Sequence, residues 1–404
     1  MSTDRDLSNL LARVNWEFPG SSARGRGPIQ LFDARQIHWY PATFIPEIPY
    51  TLIQALTSPG DLVLDPFAGL GTTLWQAELL GRHGYALELN AVAVTVMQSI
   101  WNAIAAPSML GILKTVGDAM SRSIGQSGEP PPDSLKPWFS AGTWEELSEV
   151  RHAYDSLRDD AAAQGLLFLA TSSLLRVLSE QRRGWGCVAD NMKPRAADIA
   201  NAPRREVVSK IVQRSGVISR QLGTFAEVLR SRGRAFPNES WNRIVQGDTR
   251  GIASVMPAEA FQLVVTSPPY PGMMDYATAQ RLSYYWLGLD PEAALSDELG
   301  ARRRRARKDS LERYTVDIAL ALDATVALLK PGGYLCLILP MFAAKSADPR
   351  QDALQAVLDG LQGKELDVVW MGQRNLPTGR RQLNQGWATL ESERIVIYRR
   401  GVGR

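Results

Sequence analysis

Residues 266–270 read Thr-Ser-Pro-Pro-Tyr, directly after the apolar run Leu263-Val264-Val265. Ser267 brings a hydroxyl that accepts hydrogen bonds, and the carbonyl of Pro268 is a second acceptor that needs no side chain. Pro268 and Pro269 each fix φ, so that carbonyl is held in place. Tyr270 adds an aromatic face on which a planar ring can stack. Two fixed acceptors beside an aromatic face suit a flat, amine-bearing base. Far upstream, Asp65-Pro66-Phe67-Ala68-Gly69-Leu70-Gly71-Thr72-Thr73 follows another apolar run, Leu62-Val63-Leu64. Gly69 and Gly71, between strand and helix, let backbone approach a ligand closely. A Gly-x-Gly spacing alone also occurs in plain tight turns. Asp65 at one strand end can reach a ligand's amino acid moiety directly or through water, and Glu88 at the next can accept both hydroxyls of a ribose. The loop is therefore a candidate nucleoside site.

The elements that must position these groups can be read from the flanking pattern. A helix is predicted over 46–57, then a Ser58-Pro59-Gly60-Asp61 turn, a short buried strand at 62–64, and a helix over 72–81 with an apolar face at Leu74, Ala77 and Leu80. Gly84–Leu89 is the next strand. Strand, glycine loop, helix and strand with an acidic end make half of a doubly wound nucleotide-binding sheet. The alternation then breaks. Residues 91–240 read as mostly helical, with a Pro130-Pro131-Pro132 hinge, an apolar stretch at 166–178 and a basic stretch at 203–234. Strands return at 244–245, 263–265, 335–339, 368–370 and 394–398, with a Lys330-Pro331-Gly332-Gly333 turn. The prediction is one α/β catalytic domain, 31–95 and 241–404, interrupted by a helical insertion over 96–240 and preceded by a polar, Gly/Arg-rich arm over 1–30 that is expected to be mobile. No internal repeat is visible.

Composition narrows the classes. The chain has 404 residues, 45% of them hydrophobic, enough for a full core. A formal net charge of +3 excludes a polycation, although the basic residues are clustered. Cys187 and Cys336 form neither a metal-ligand nor a disulfide pattern, and His38, His83 and His152 are scattered. The first residues lack the plan of a signal peptide, and no run of about 18 apolar residues suggests a membrane span. A cytoplasmic, prokaryotic location is expected, with no membrane and no metal.

The wording Asp-Pro-Phe-x-Gly-x-Gly-Thr-Thr together with Thr-Ser-Pro-Pro-Tyr resembles the S-adenosylmethionine-dependent amino-methyltransferases of DNA, which methylate cytosine N4 or adenine N6. The resemblance covers about 35–90 and 244–400. It implies a Rossmann-like methyltransferase sheet with a large, mostly helical insertion, S-adenosyl-L-methionine as cofactor and double-stranded DNA as partner. It leaves open a cognate restriction endonuclease or phage-defence system. The cofactor residues it implies are Asp65, Phe67, Gly69, Gly71, Thr72, Thr73, Glu88, Asn90 and Thr266. His38 and Pro41 join them from a His-Trp-Tyr-Pro-Ala segment that closes over the methionine end. Asp248 is placed against the adenine amino group, with Asp118 as its rival. The family usually has Pro after the Glu88-Leu89-Asn90 segment. Ala91 stands there instead, which bears on the local turn.

For the catalytic residues Ser267, Pro268, Pro269 and Tyr270, the resemblance implies direct transfer to a flipped-out base. The lone pair of an exocyclic amine is delocalised into its ring, so the site must bend the amine and engage its protons. Neither cysteine lies in the Pro-Cys loop that carbon-5 methylation uses. Ser at the first position leans toward cytosine N4. The order of parts, with cofactor motif, insertion and then catalytic motif, leans toward adenine N6. Tyr276 is a candidate wall of the base pocket, and Tyr284, Tyr285 and Trp286 read as helix packing.

DNA contacts are sought among the basic residues. The run Arg302-Arg303-Arg304-Arg305-Ala306-Arg307-Lys308 is either a solvated charged segment or a phosphate clamp beside the base site. Arg182, Arg183 and Lys193, in the insertion, are candidates for reading base edges, and Arg374 for touching the base or backbone. Other readings are an RNA or protein-amide methyltransferase, or a non-enzymatic DNA-binding module. The intact Asp65, Gly69, Gly71 and Glu88 speak against the last.

Overall fold

The structure, a computed structural model, describes residues 4–18, 31–126, 130–181, 192–203, 205–234, 243–342, 348–362, 365–376 and 390–402. The strands are β1 Leu62–Asp65, β2 His83–Glu88, β3 Ile244–Gln246, β4 Phe261–Thr266, β5 Leu329–Phe342, β6 Leu366–Asn375 and β7 Leu390–Arg400. The helices up to β3 are α1 Asp4–Ala12, α2 Glu47–Leu56, α3 Thr72–Leu79, α4 Ala91–Ala105, α5 Met109–Ser123, α6 Ala141–Ser156, α7 Ala161–Leu178, α8 Ala196–Ala200 and α9 Val207–Ser231. Beyond β4 come α10 Tyr276–Ala279, α11 Arg281–Trp286, α12 Pro291–Leu295, α13 Ser310–Val326 and α14 Pro349–Gln362.

Apolar runs without polar alternation signal strands covered on both faces. Leu263, Val265, Cys336, Ile338, Ile395 and Ile397 face α1 and α2 together with Val63. Their neighbours Leu64, Val264, Leu335, Leu337, Leu339 and Val396 face α13 and α14. This is the two-residue period of a strand. The sheet order is β3-β2-β1-β4-β5-β7-β6. The first five strands are parallel, and β7 runs antiparallel between β5 and β6. Sequence order reverses between β1 and β4, the switch point where a doubly wound sheet binds ligands at its carboxyl edge. This is the Rossmann-like α/β sheet expected from the sequence. The anticipated turn at Lys330–Gly333 is instead a bulge within β5, where the pairing shifts between Phe261–Leu329 and Leu263–Tyr334.

Helices α4 to α9 fill the stretch between β2 and β3. Their hydrophobic core is continuous with Ala86 of β2, Ile244 of β3 and Trp75 of α3, so the insertion is built as a layer on the sheet. Helix α7 is long and apolar enough to cross a membrane, contrary to the sequence expectation, but it is mostly buried, against α4, α5, α6 and α9. The basic stretch of α9 and its exit also works inward. Arg214 donates to the carbonyls of Gln36 and Ile37 at 2.9 and 2.6 Å, and Arg232 to that of Leu79 at 2.6 Å. Arg234 and Arg243 pair with Glu78 at 2.7 and 2.9 Å. Glu78 is 1% exposed and also accepts the Gly84 N–H at 2.9 Å. Glu78→Ala strands two partly buried guanidinium groups and is expected to destabilise the fold by about 3–5 kcal/mol. Urea unfolding measures this, and an unchanged midpoint would show that the network contributes nothing.

The arm expected over 1–30 needs correction at residues 4–18. Leu7 and Leu11, one helical turn apart, are buried beside β6, and the Trp16 ring lies 5.3 Å from that of Trp370. This short apolar stripe was masked by the Gly/Arg-rich segment after it, which lies outside the described residues.

Candidate active site

Strands β1 and β4 are neighbours, with Val63 and Leu64 beside Leu263 and Val264, so the loops that follow them open onto one cavity. The first loop contributes Phe67, Gly69 and Thr72. Glu88 and Asn90 come from the end of β2, Asp248 from just after β3, Ser267 and Pro269 from just after β4, and Pro41 from upstream. Two motifs far apart in sequence therefore share one cavity wall.

The glycine loop is tied to β2 through Glu88. Its Oε2 accepts the Gly69 N–H at 2.7 Å and its Oε1 the Asn90 N–H at 2.8 Å. Gly71 has φ +76°, and a Cβ there would lie 2.8 Å from Met97 Sδ, so the position demands glycine for packing as well as conformation. Gly71 itself does not line the cavity.

Asp65 is fully buried. Its carboxylate accepts from Phe67 N–H, Thr73 Oγ1 and Thr266 Oγ1 at 3.1, 2.9 and 2.7 Å, joining β1, α3 and β4. Burial pushes it up to about 6 despite those bonds. Asp65, Thr73 and Thr266 are thus placed behind the cavity wall, holding the loop, rather than at the ligand. His38 is also corrected: it is buried, with Nε2 2.8 Å from Ser172 Oγ and Nδ1 2.9 Å from the Trp39 carbonyl. Burial lowers it to about 4. Ser172 Oγ in turn lies 2.6 Å from Ser283 Oγ, so His38 joins α7 to α11.

Within the tetrapeptide, Pro268 is buried, and Tyr270, partly buried, does not line the cavity. The Tyr270 hydroxyl donates to Glu393 Oε1 at 3.0 Å, and Ser267 Oγ donates to the Tyr270 oxygen at 3.2 Å. Arg374 sits opposite Glu393 in the β6–β7 register, 1% exposed, with its Nε 3.6 Å from Glu393 Oε2. Arg374 is therefore a buried structural partner, not a DNA contact. This chain of bonds has a polarity. An ionised carboxylate only accepts, so Tyr270 must donate to it, and Ser267 must donate to Tyr270. The Ser267 oxygen is left facing the cavity as an acceptor.

Asp248 lines the cavity, whereas Asp118 is exposed on α5 and does not. Burial opposes ionisation of Asp248, but the Arg250 fork at 2.6–3.1 Å outweighs it and holds the carboxyl below its usual range. Sequence reading did not assign Tyr40, Tyr284 or Glu298 to the site, and all three line it together with Tyr276. Tyr40 and Tyr276 stack at 5.9 Å between centroids. The Ala91 N–H, which a proline would lack, donates to the Tyr284 hydroxyl at 3.3 Å. Asn90 caps α4 through Val92 and Ala93 N–H, so the turn forms without proline. Glu298 accepts the N–H groups of Tyr276 and Ala277 at 3.0 and 2.6 Å.

Burial raises both Glu88 and Glu298 to about 7. The folded carboxyls keep protons that the unfolded chain releases in the usual carboxylate range. Stability without ligand therefore falls as pH rises from that range through about 7, and the full cost is present above it. A ligand that donates hydrogen bonds to these carboxylates favours their ionised form, so its affinity should rise over the same window and level off above it. Thermal unfolding and calorimetric titration across neutral pH test both signs.

Among the basic candidates, Arg303 pairs with Glu292 at 2.8 Å and Arg304 donates to the Leu295 and Ser296 carbonyls. Arg302, Arg305 and Lys193 are exposed, and Arg182, Arg183 and Cys187 lie outside the described residues. No group of three or more His, Cys, Asp or Glu among the described residues is arranged to hold a metal ion.

Residues 15–99 match the DNA methylase family, and that segment holds the glycine loop, Glu88 and Asn90. The chain is similar to this family over that segment. It is 22% identical over 273 residues to the Type II methyltransferase M.BsoBI of Geobacillus stearothermophilus, covering 62% of this chain and 52% of that protein. The chain thus spans about half the length of the curated relative it matches. Among solved structures, it is similar to the rRNA methyltransferase aviRa from Streptomyces viridochromogenes, with a TM-score of 0.37, 9% identity, and coverage of 93% of this chain and 96% of that one. It is also similar to TTHA0409, a putative DNA modification methylase from Thermus thermophilus complexed with S-adenosyl-L-methionine. There the TM-score is 0.24 and the identity 20%, covering 39% of this chain and 55% of that one. These are distant likenesses, and the fold assignment for this chain rests on its strand order.

Proposed function

We propose that the protein binds S-adenosylmethionine in the cavity at the β1–β4 switch point and transfers its methyl group to the exocyclic N4 of a flipped cytosine in double-stranded DNA. The observation that carries this reading is that Gly69 and Glu88 line the same cavity as Ser267 and Pro269. The family match and the Type II relative support nucleic acid as the substrate class.

S-adenosylmethionine supplies an electrophilic methyl group on a sulfonium centre. The chain's own groups hold and orient. The Glu88 carboxylate accepts the ribose hydroxyls, the glycine loop lets backbone come close, and Asp248 accepts the adenine amine. Tyr40, Tyr276 and Tyr284 wall the site against water. The Ser267 oxygen accepts a proton of the target amine, which favours the bent geometry that exposes its lone pair. The proton that the amine loses on methylation is released to water in the region of Ser267. Ser267, in the position that leans toward N4, supports cytosine over adenine, against the order of parts, which leans toward adenine N6.

Nucleoside mass spectrometry of DNA from cells expressing the chain, beside a Ser267→Ala/Pro268→Ala control, tests the reading. N4-methylcytosine only with the intact chain is the expected result. N6-methyladenine would keep the chemistry and overturn the base, and methylated RNA without methylated DNA would move the substrate to RNA.

A further inference from the structure

A second cavity adjoins the segment that follows the tetrapeptide. Its walls include Pro271 and Gly272, next in the chain after Tyr270, and five arginines from three segments: Arg304, Arg305 and Arg307 of the basic run, Arg313 of α13 and Arg350 of α14. Three carboxylates also line it, Asp309, Asp317 and Asp348. Asp317 is taken from outside by Arg250 at 2.8 Å, and Asp348 holds Arg350 in a fork. Arg313 meets Asp309 only at 3.7 Å, with both side chains more than half exposed. Positive charge is left in excess, and Arg307 makes no ion pair among the described residues.

This cavity is fastened to the catalytic loop. Gly272 N–H donates to the Gly300 carbonyl at 2.9 Å, Arg302 N–H to the Met274 carbonyl at 3.1 Å, and Arg303 N–H to Asp275 Oδ1 at 3.1 Å. Gly272 has φ +66°, and a Cβ there would lie 3.3 Å from Arg305 Cβ. Tyr314 lines this second cavity, and its hydroxyl donates at 3.0 Å to the carbonyl of Pro269, which lines the first. One tyrosine side chain therefore spans the distance between the two.

We infer that this second cavity holds a backbone phosphate of the nucleic acid whose base enters the first. The inference rests on the base-methylating reading above and assigns that reading a fixed anchor. Guanidinium groups arriving from several directions match the oxygens of a phosphodiester, which they can bind as forks. A phosphate held beside Gly272 fixes the register of the strand, and so determines which nucleotide lies opposite Ser267.

The test is a double variant, Arg307→Ala/Arg313→Ala, with Lys210→Ala/Arg220→Ala on exposed positions of α9 as the charge-matched control. Fluorescence anisotropy reads binding of a duplex DNA and of a single-stranded RNA oligonucleotide against salt concentration, and calorimetry reads S-adenosylmethionine binding. The clamp variant is expected to lose about one from the slope of log affinity against log salt, equally for unrelated duplex sequences, with cofactor affinity unchanged. An unchanged slope, an equal loss in the α9 control, or a loss of cofactor binding overturns the inference. If the wild type binds RNA and not DNA, and the variant loses slope on RNA, the clamp stands and the DNA reading falls. If the wild type binds neither, both fall.

Discussion

Ser267→Ala is expected to lower the rate of methyl transfer by about 10²-fold while S-adenosylmethionine binds as before. The argument rests on hydrogen-bond direction. Glu393 fixes the Tyr270 hydroxyl as a donor, Tyr270 fixes Ser267 as a donor to itself, and the Ser267 oxygen then has only lone pairs to offer the cavity. Removing that oxygen removes an acceptor whose bond strengthens as the amine becomes tetrahedral, so the loss belongs to kcat. Tyr270→Phe separates the two roles of the tyrosine. It keeps the ring and frees Ser267 to rotate, and it should weaken the step only by about one ordinary hydrogen bond, roughly 0.5–1.5 kcal/mol. Single-turnover kinetics with the enzyme in excess over the DNA, beside calorimetric titration of the cofactor, distinguish these outcomes. A Ser267→Ala rate equal to wild type would mean that the Ser267 oxygen does not engage the amine.

The contrast between what the sequence disclosed and what it hid has a physical basis. Strands β1, β2, β4, β5 and β7 were legible because strands covered on both faces are continuously apolar, and the loops after β1 and β4 because glycine and proline restrict backbone in recognisable ways. The cavity members Phe67, Gly69, Thr72, Ser267 and Pro269 follow from those loops, and Glu88, Asn90 and Asp248 from the ends of β2 and β3. Side-chain direction was not legible. Asp65 and Glu88 both end strands, yet Asp65 turns inward to Thr73 and Thr266, whereas Glu88 borders the cavity. Arg374 reads as an exposed loop cation until the β6–β7 register sets it against Glu393. Glu298 carries no pattern at all, because its position depends on the two N–H groups of α10 that it accepts. The arginines of α9 and its exit show the same limit: their spacing states charge, and only packing reveals that Arg214 grips the 36–37 segment and Arg232 and Arg234 grip α3.

Glu88→Ala is expected to weaken S-adenosylmethionine binding by at least about 10²-fold. In the proposed complex one carboxylate accepts two ribose hydroxyls, and each hydrogen bond to a charged group contributes about 1.5–3 kcal/mol. The unliganded site loses something too, because Glu88 also accepts the N–H groups of Gly69 and Asn90 and so holds the glycine loop against β2. Glu88→Gln separates these effects. Its amide oxygen can still accept one of the two N–H groups, but it carries no charge and no proton equilibrium near neutrality. Wild-type affinity should rise with pH up to about 7, where burial has placed the Glu88 carboxyl. In Glu88→Gln any remaining rise must come from Glu298, which burial has raised to the same region. Calorimetric titration of wild type, Glu88→Gln and a Glu88→Gln/Glu298→Gln pair across neutral pH therefore apportions the dependence. A steep pH response persisting in the pair would place the titrating group elsewhere, and the buried Asp65, raised to about 6 behind the loop, is then the group to examine, because its protonation would weaken its hold on Thr73 and Thr266.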